Sequence, residues 1–241
     1  IAFYAPSFTT YNNKYYQAST TCFPSISITG TACALQCKHC SGRVLGSMIA
    51  ATTPQKLYTV CHEIKKQGGT GCLISGGCLS DGSVPLNRYF QTLHRIKQEL
   101  ELTIIVHTGI IDTPTATQLS ETGIDAALID IIGAQQTIED IYNLDVTIEN
   151  YRDSLKALHA AKLPFIPHII VGLHYGQLLG ELDALHMIAQ YEPSGIVVIA
   201  LIPLPGTPLE KVSPPSAEDI GWVIAKARVM LPTTPLALGC M

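Results

Sequence analysis

Three cysteines, Cys33, Cys37 and Cys40, stand at spacing C-x3-C-x2-C within Cys33-Ala34-Leu35-Gln36-Cys37-Lys38-His39-Cys40. The run follows a strand-like stretch, Ser25-Ile26-Ser27-Ile28-Thr29. Three thiolates on one loop can hold three irons of a cubane [4Fe–4S] cluster. The fourth iron then has no ligand from the loop and is open to a bound molecule. Such a cluster is suited to working on that molecule as well as to passing electrons. A zinc site completed by a distant fourth ligand is a competing use of clustered thiols. A C-x3-C-x2-C triplet straight after a strand is not the usual zinc form, which is built on tight C-x2-C pairs. Disulfides are a third reading, but adjacent loop cysteines in a chain read without a signal peptide fit a reduced or anaerobic cytosol better.

The elements that must position this loop are legible as an alternation. Short apolar runs are expected as strands at residues 25–29, 71–75, 102–107, 126–131, 165–171, 195–201 and 235–238. Helical patterns lie between them, near residues 54–67, 85–100, 113–122, 148–161, 178–191 and 217–231. Strands alternating with helices of this length predict βαβ units and a parallel sheet. The strands carry Ile, Val and Leu on both faces, as a sheet covered by helices requires. Thr53-Pro54, and Ser216 after a Pro pair, mark helix starts. So many βα steps favour an α/β TIM-like (β/α) barrel, partial or full, with its site at the C-terminal strand ends. The expected organisation is an N-terminal arm over residues 1–22 and one barrel domain over residues 23–241.

In such a barrel each strand end is a site position. The second expected strand ends in Ser75-Gly76-Gly77, where glycine lets backbone approach a ligand closely; a simple Gly turn is the plainer reading. Asp130 closes the fourth strand as a hydrogen-bond acceptor or, alternatively, as a helix-capping or surface residue. His107 and His168 lie on the third and fifth strands. They are candidates for substrate binding or proton transfer, or are core histidines with satisfied partners.

The other cysteines are sorted by geometry. Cys72 and Cys78 lie at opposite ends of one strand, roughly 20 Å apart at the rise of an extended chain, and cannot share a cluster. Cys78 belongs at the mouth. It is a candidate catalytic residue, as ligand of a second cluster, sulfur relay or substrate contact, or it is an inert packed thiol. Cys240 is expected to face the same mouth. Cys61 and Cys72 read as buried apolar thiols, and Cys22 is assigned no role.

Composition sets the outer bounds. The chain has 241 residues, 47 % hydrophobic and 14 % charged, with net charge −4. That is enough for one large core and too apolar for disorder. Without a long basic run, nucleic acid is not an expected partner. Without an apolar stretch near ~20 residues, neither is a membrane. A cytoplasmic protein is expected. Ile1 and the terminal Leu238-Gly239-Cys240-Met241 read as the ends of a piece of a longer chain.

The cysteine run resembles that of the radical S-adenosylmethionine (SAM) superfamily. In that resemblance the open iron chelates the amino and carboxylate groups of SAM, and one electron cleaves SAM to a 5′-deoxyadenosyl radical. His39 occupies a position where the family usually carries an aromatic. Leu73-Ile74-Ser75-Gly76-Gly77-Cys78 resembles the family's Gly-Gly-Glu motif, whose backbone binds the SAM amino group; Cys78 replaces the Glu. The resemblance gives Asp130 to ribose hydroxyls. It sets Val171 and Leu173 of Val171-Gly172-Leu173 beside the adenine. It sets Ile202 and Pro203, which lead into Pro205-Gly206-Thr207-Pro208, on the adenine's flank. Tyr142-Asn143-Leu144-Asp145 is similar to a biotin synthase segment, implying that Asn143 and Asp145 serve ribose or substrate.

Nearly the whole chain is similar to a biotin-synthase-like branch found in archaea and anaerobes. Phe23-Pro24-Ser25, Val106-His107-Thr108-Gly109, Ala127-Leu128-Ile129-Asp130-Ile131-Ile132-Gly133 and His174-Tyr175-Gly176 add to it. Within that branch it resembles the two-protein lipoyl synthases. The resemblance implies sulfur insertion into an octanoyl chain on a carrier protein or peptide. It also implies a second radical SAM protein, a reductant such as ferredoxin, and an auxiliary [4Fe–4S] cluster as sulfur source. Other reactions of the branch, such as biotin-type sulfur insertion, rearrangement or cofactor biosynthesis, are the first alternative. A non-catalytic iron–sulfur subunit is the second.

Overall fold

The computed structural model describes Lys14 and residues 22–240. Apart from Lys14 and Cys22, the expected arm over residues 1–22 lies outside the described residues. Eight parallel strands form one sheet in the order β2-β1-β3-β4-β5-β6-β7-β8. They are β1 (Ser25–Ser27), β2 (Ile49–Ala50), β3 (Gly71–Ser75), β4 (Thr103–His107), β5 (Ala126–Asp130), β6 (Phe165–Val171), β7 (Ile196–Ala200) and β8 (Leu236–Cys240). Helices α1 (Pro54–Lys66), α2 (Phe90–Leu100), α3 (Thr113–Glu121), α4 (Gln135–Thr137), α5 (Ile148–Ala160), α6 (Glu181–Ile188) and α7 (Ala217–Met230) connect them. The architecture is a partial TIM-like barrel. Among the described residues no pairing joins β2 to β8.

Most expected elements form close to where the pattern puts them, and the departures have local causes. β2 was not foreseen, because two residues show no period; it pairs with β1 through Ile26 and Ile49. The helix expected from residue 85 starts at Phe90, after a 3-10 turn at Asn87–Tyr89. The helix expected from residue 178 starts only at Glu181, because Gly180 before it takes a left-handed φ of 96°. The expected caps form: Thr53 accepts from the Lys56 amide at 3.2 Å, and Ser216 and Asp219 make a reciprocal capping box. Among the described residues no helix is long and apolar enough to cross a membrane.

The alternation of side chains along each strand divides the sheet into two environments. Cys72, Ile74, Ile104, Val106, Ala127, Ile129 and Val198 are fully buried. Their neighbours Leu73, Ile105, His107, Leu128, Asp130, His168 and Val197 are only half-buried. The first set packs under the helices, and the second lines the inner face. Pairing aligns the inner set across strands: Leu73 with Ile105, His107 with Leu128, Asp130 with His168, and His168 with Val197. Cys61 of α1 and Cys72 of β3 meet on the outer side, sulfurs 3.9 Å apart and fully buried, as expected of packed thiols.

Tyr89 ties the helical layer to the thin edge of the sheet. Its buried hydroxyl donates to the Ile28 carbonyl at 3.1 Å and lies 3.4 Å from that of Ala51. Tyr89→Phe leaves both without this donor and is expected to cost about 1–3 kcal/mol. Urea unfolding of the protein measures the loss.

Candidate functional site

The cysteine loop leaves the C-terminal end of β1 and is fastened on two sides. The Ala34 amide donates to the Cys78 carbonyl at 2.8 Å, and the Lys38 amide to the Ile141 carbonyl at 2.8 Å. The first bond ties the loop to the end of β3. The second ties it to a π-turn, Ile138–Tyr142, that continues α4. Within the loop the Cys40 and Ser41 amides both point at the Cys37 carbonyl, 3.2 and 2.7 Å away. This winds Cys37 and Cys40 into one tight turn.

Glycine makes the first fastening possible. A Cβ on Gly77 would collide with the Ala32 carbonyl oxygen and sit 2.6 Å from the Cys33 Cβ. The Gly77 amide donates to the Thr29 hydroxyl at 2.7 Å. The Ser75 carbonyl accepts from the Ile28 amide at 2.8 Å. These bonds use the Ser75 carbonyl and the Gly77 amide and pin the Ser75-Gly76-Gly77 turn against the segment that leads into the cysteine loop. Ser75 itself is buried.

The thiols differ in acidity for reasons visible in the loop. Hydrogen bonding from Cys37, with help from His39 and the Gly42 amide, lowers Cys40 to about 4. The same bond, then burial, pushes Cys37 far up. Burial, then the charges of Cys33 and Asp130, pushes Cys78 up to about 12. Cys78 stands at the mouth as expected and remains a neutral thiol at pH 7.

Donor chemistry and packing around the loop fit a cluster better than a single ion. Tetrahedral zinc at ~2.3 Å from each sulfur needs sulfurs about 3.8 Å apart. The three loop sulfurs do not all approach one another within 4.8 Å. His39 is buried with its Nδ1 unpaired, and the hydroxyl of buried Tyr142 is unpaired too. Their rings lie 5.2 Å apart, tilted by 51°. Orphaned polar atoms beside the cysteines mark space that a polar group completes. In the sequence Tyr142 stands out only as part of the Tyr142-Asn143-Leu144-Asp145 segment. Its position behind the loop follows from the π-turn, which leaves no hydrophobic period to read.

On the inner face, Asp130 stands between two histidines. Its Oδ1 lies 3.6 Å from His107 Nε2 and 3.5 Å from His168 Nδ1. Burial alone would raise the carboxyl, but the adjacent imidazoles of His107 and His168 outweigh it and hold it well below the usual carboxylate range. Asp130 is thus a lumen carboxylate and caps no helix. The remaining expected positions divide. Val171 and Leu173 are buried at the end of β6, where the Gly172 amide between them donates to Glu181 Oε1 at 2.9 Å. Ile202 is exposed just beyond β7, and Pro203 is half-buried. Asn143 and Asp145 are exposed and flank buried Leu144 on the loop after the π-turn. Cys240 ends β8 opposite Ala200.

The family model of the radical SAM superfamily matches residues 27–177, from β1 to just past β6. The chain belongs to the radical SAM superfamily. Among curated proteins it is similar to the biotin synthase of Synechococcus sp. (strain JA-3-3Ab), 31% identical over 154 residues, 60% of this chain and 46% of that protein. It is also similar to the biotin synthase of Ruthia magnifica subsp. Calyptogena magnifica, 28% identical over 138 residues, 55% of this chain and 41% of that protein. The chain spans about half the length of these curated relatives. Its fold is that of methylornithine synthase (PylB), with a TM-score of 0.66 at 17% identity over 90% of this chain and 65% of that one. Streptococcus suis SuiB bound to S-adenosylmethionine has the same fold, with a TM-score of 0.65 at 12% identity over 91% of this chain and 50% of that one. Radical SAM membership implies a [4Fe–4S] cluster and SAM, and Cys33, Cys37 and Cys40 are the residues that would hold the cluster.

Gly77→Ala forces the cysteine loop away from β3. Iron bound after anaerobic reconstitution is expected to fall at least several-fold, with far-UV circular dichroism retained. In the cluster-free protein at pH 7, iodoacetamide is expected to label Cys40 much faster than Cys78, as peptide mass spectrometry reads.

Proposed function

We propose that this chain is the catalytic core of a radical SAM enzyme that inserts sulfur at an unactivated C–H, with a protein-bound octanoyl chain as substrate. One observation carries the enzymatic part. The three-cysteine loop is locked onto the Gly76-Gly77 end of β3, at the mouth of a parallel sheet whose inner face carries Asp130. When bound, a reduced cluster with SAM supplies a 5′-deoxyadenosyl radical able to take hydrogen from such a carbon.

The residues of this chain bind, orient and exclude water. The carbonyls of Gly76 and Gly77 receive the SAM ammonium. Both histidines approach Asp130 through Oδ1, and Oδ2 accepts from the ribose hydroxyls. Exposed Ile202, with Pro203, offers an apolar surface to the adenine. Val171 and Leu173 back the same side from the core. Asn143 and Asp145 reach substrate or ribose from the loop after the π-turn. Binding energy spent on the nucleoside holds the reactive carbon against one C–H, and the cofactor does the difficult chemistry.

Sulfur insertion needs a sulfide donor, which we assign to an auxiliary cluster. Cys78, a neutral thiol at the mouth where the family motif carries Glu, is the described residue nearest that role. A second radical SAM protein and a ferredoxin-like reductant complete the proposed system. Biotin-type insertion is the second reading, favoured by the biotin synthases among the relatives.

The test is anaerobic turnover of the reconstituted full-length protein with SAM and dithionite. It is offered an octanoyl-lysine peptide or dethiobiotin, with and without a candidate partner. Deoxyadenosine together with a sulfur-bearing peptide supports the lipoyl reading, and sulfur gained by dethiobiotin moves the assignment to the biotin type. Deoxyadenosine without sulfur gain on either substrate removes sulfur insertion, and none at all leaves an iron–sulfur subunit. Cys37→Ala is expected to lower deoxyadenosine formation at least 100-fold. Asp130→Asn is expected to raise the KM for SAM more than it lowers kcat.

A further inference from the structure

His107, Asp130 and His168 come from three successive strands, yet register alone places them together. His107 pairs with Leu128, two residues before Asp130 and on the same face, and Asp130 pairs with His168. Three ligating atoms, one from each residue, all lie within 4.8 Å of one another, and all three residues are half-buried. The centroids of the two imidazole rings lie 5.8 Å apart, with the ring planes tilted by 59°.

The spacing says what belongs between them. A charge-assisted hydrogen bond from imidazolium to carboxylate would draw nitrogen and oxygen to about 2.7–2.9 Å. Here Asp130 Oδ1 stays 3.5 and 3.6 Å from the two nitrogens. Ligands about 2.1 Å from a shared ion sit ~3.0–3.4 Å from each other, for octahedral and tetrahedral angles. The observed separations are close to that shell and long for direct contact. Neither imidazole has another hydrogen-bond partner among the described residues. Two imidazoles and one carboxylate on one side of an ion leave its other positions open, a donor set that suits first-row divalent metals.

We propose that His107, Asp130 and His168 bind one first-row divalent metal ion, separate from the iron–sulfur cluster, on the inner face of the barrel. The half-buried ligands leave its open positions toward the lumen, where an oxygen or sulfur donor of the substrate can complete the shell. Asp130 Oδ1 serves the metal and leaves Oδ2 for the nucleoside. The ion site stands on these three side chains and is independent of the sulfur-insertion reading.

Mn2+ is a suitable probe, because it favours nitrogen and oxygen ligands and is a poor match for the chain's thiols. Cluster-loaded full-length protein is titrated anaerobically with Mn2+, and free Mn2+ is read by its electron paramagnetic resonance signal. Zinc retained after desalting is counted in parallel by mass spectrometry. About one ion per chain is expected, with affinity at least tenfold weaker in His107→Gln and in His168→Gln. Each variant is compared at equal cluster iron and equal melting temperature; Asp130→Asn replaces either one if it fails to fold. Absence of a one-per-chain site for both ions, or binding unchanged in the variants, overturns the proposal. Deoxyadenosine formation in the same samples reports separately on radical SAM activity, so the two readings fail independently.

Discussion

The structure depends on one close approach: the backbone of the cysteine loop lying directly on the end of β3. Gly77 has no side chain because the Ala32 carbonyl and the Cys33 Cβ already occupy that space. The Ala34-to-Cys78 and Gly77-to-Thr29 hydrogen bonds then fix the loop in height and rotation. A loop tethered only at its ends would lose this placement to conformational entropy. The π-turn, meeting the loop at Lys38, closes the other side. Three thiols carried on one loop are thereby held as one donor set.

The rest of the site follows from the pleat of a parallel sheet. Side chains under the helices are fully buried aliphatics, and they supply the apolar free energy that holds the layers together. Freed from that duty, the inner face can carry His107, Asp130 and His168. An ionised carboxylate survives there because two imidazoles face it and the lumen keeps it partly wet. Segregation of packing to one face and polar chemistry to the other lets a small apolar domain hold a charged cluster without unfolding.

Electrostatics then separates thiols that composition cannot distinguish. Cys40 is driven toward thiolate by a neighbouring S–H and by His39, whereas Cys78, a few residues beyond β3, is kept protonated by burial and adjacent charge. Cys61 and Cys72, equally rich in sulfur, sit on the helix side of the sheet with no route to the lumen. The same residue type thus stands on the cysteine loop, at the mouth or in the packed layer, according to where the fold carries it.

Local chemistry determined much of this from the sequence alone. The C-x3-C-x2-C spacing, the Gly pair after a strand, and the alternation of apolar runs with helical periods are properties of neighbouring residues, and all describe the folded chain. Cys78 at the mouth and Cys72 at the far end followed from counting residues along one strand. Tertiary structure decided what distant residues share. That Asp130 stands between His107 and His168 depends on the register of three strands more than twenty residues apart, and spacing within one segment carries no register between segments. The edge strand β2, the late start of α6 and the unpaired Tyr142 hydroxyl behind the cysteines were equally hidden. Each arises where the local pattern is too short or too irregular to read.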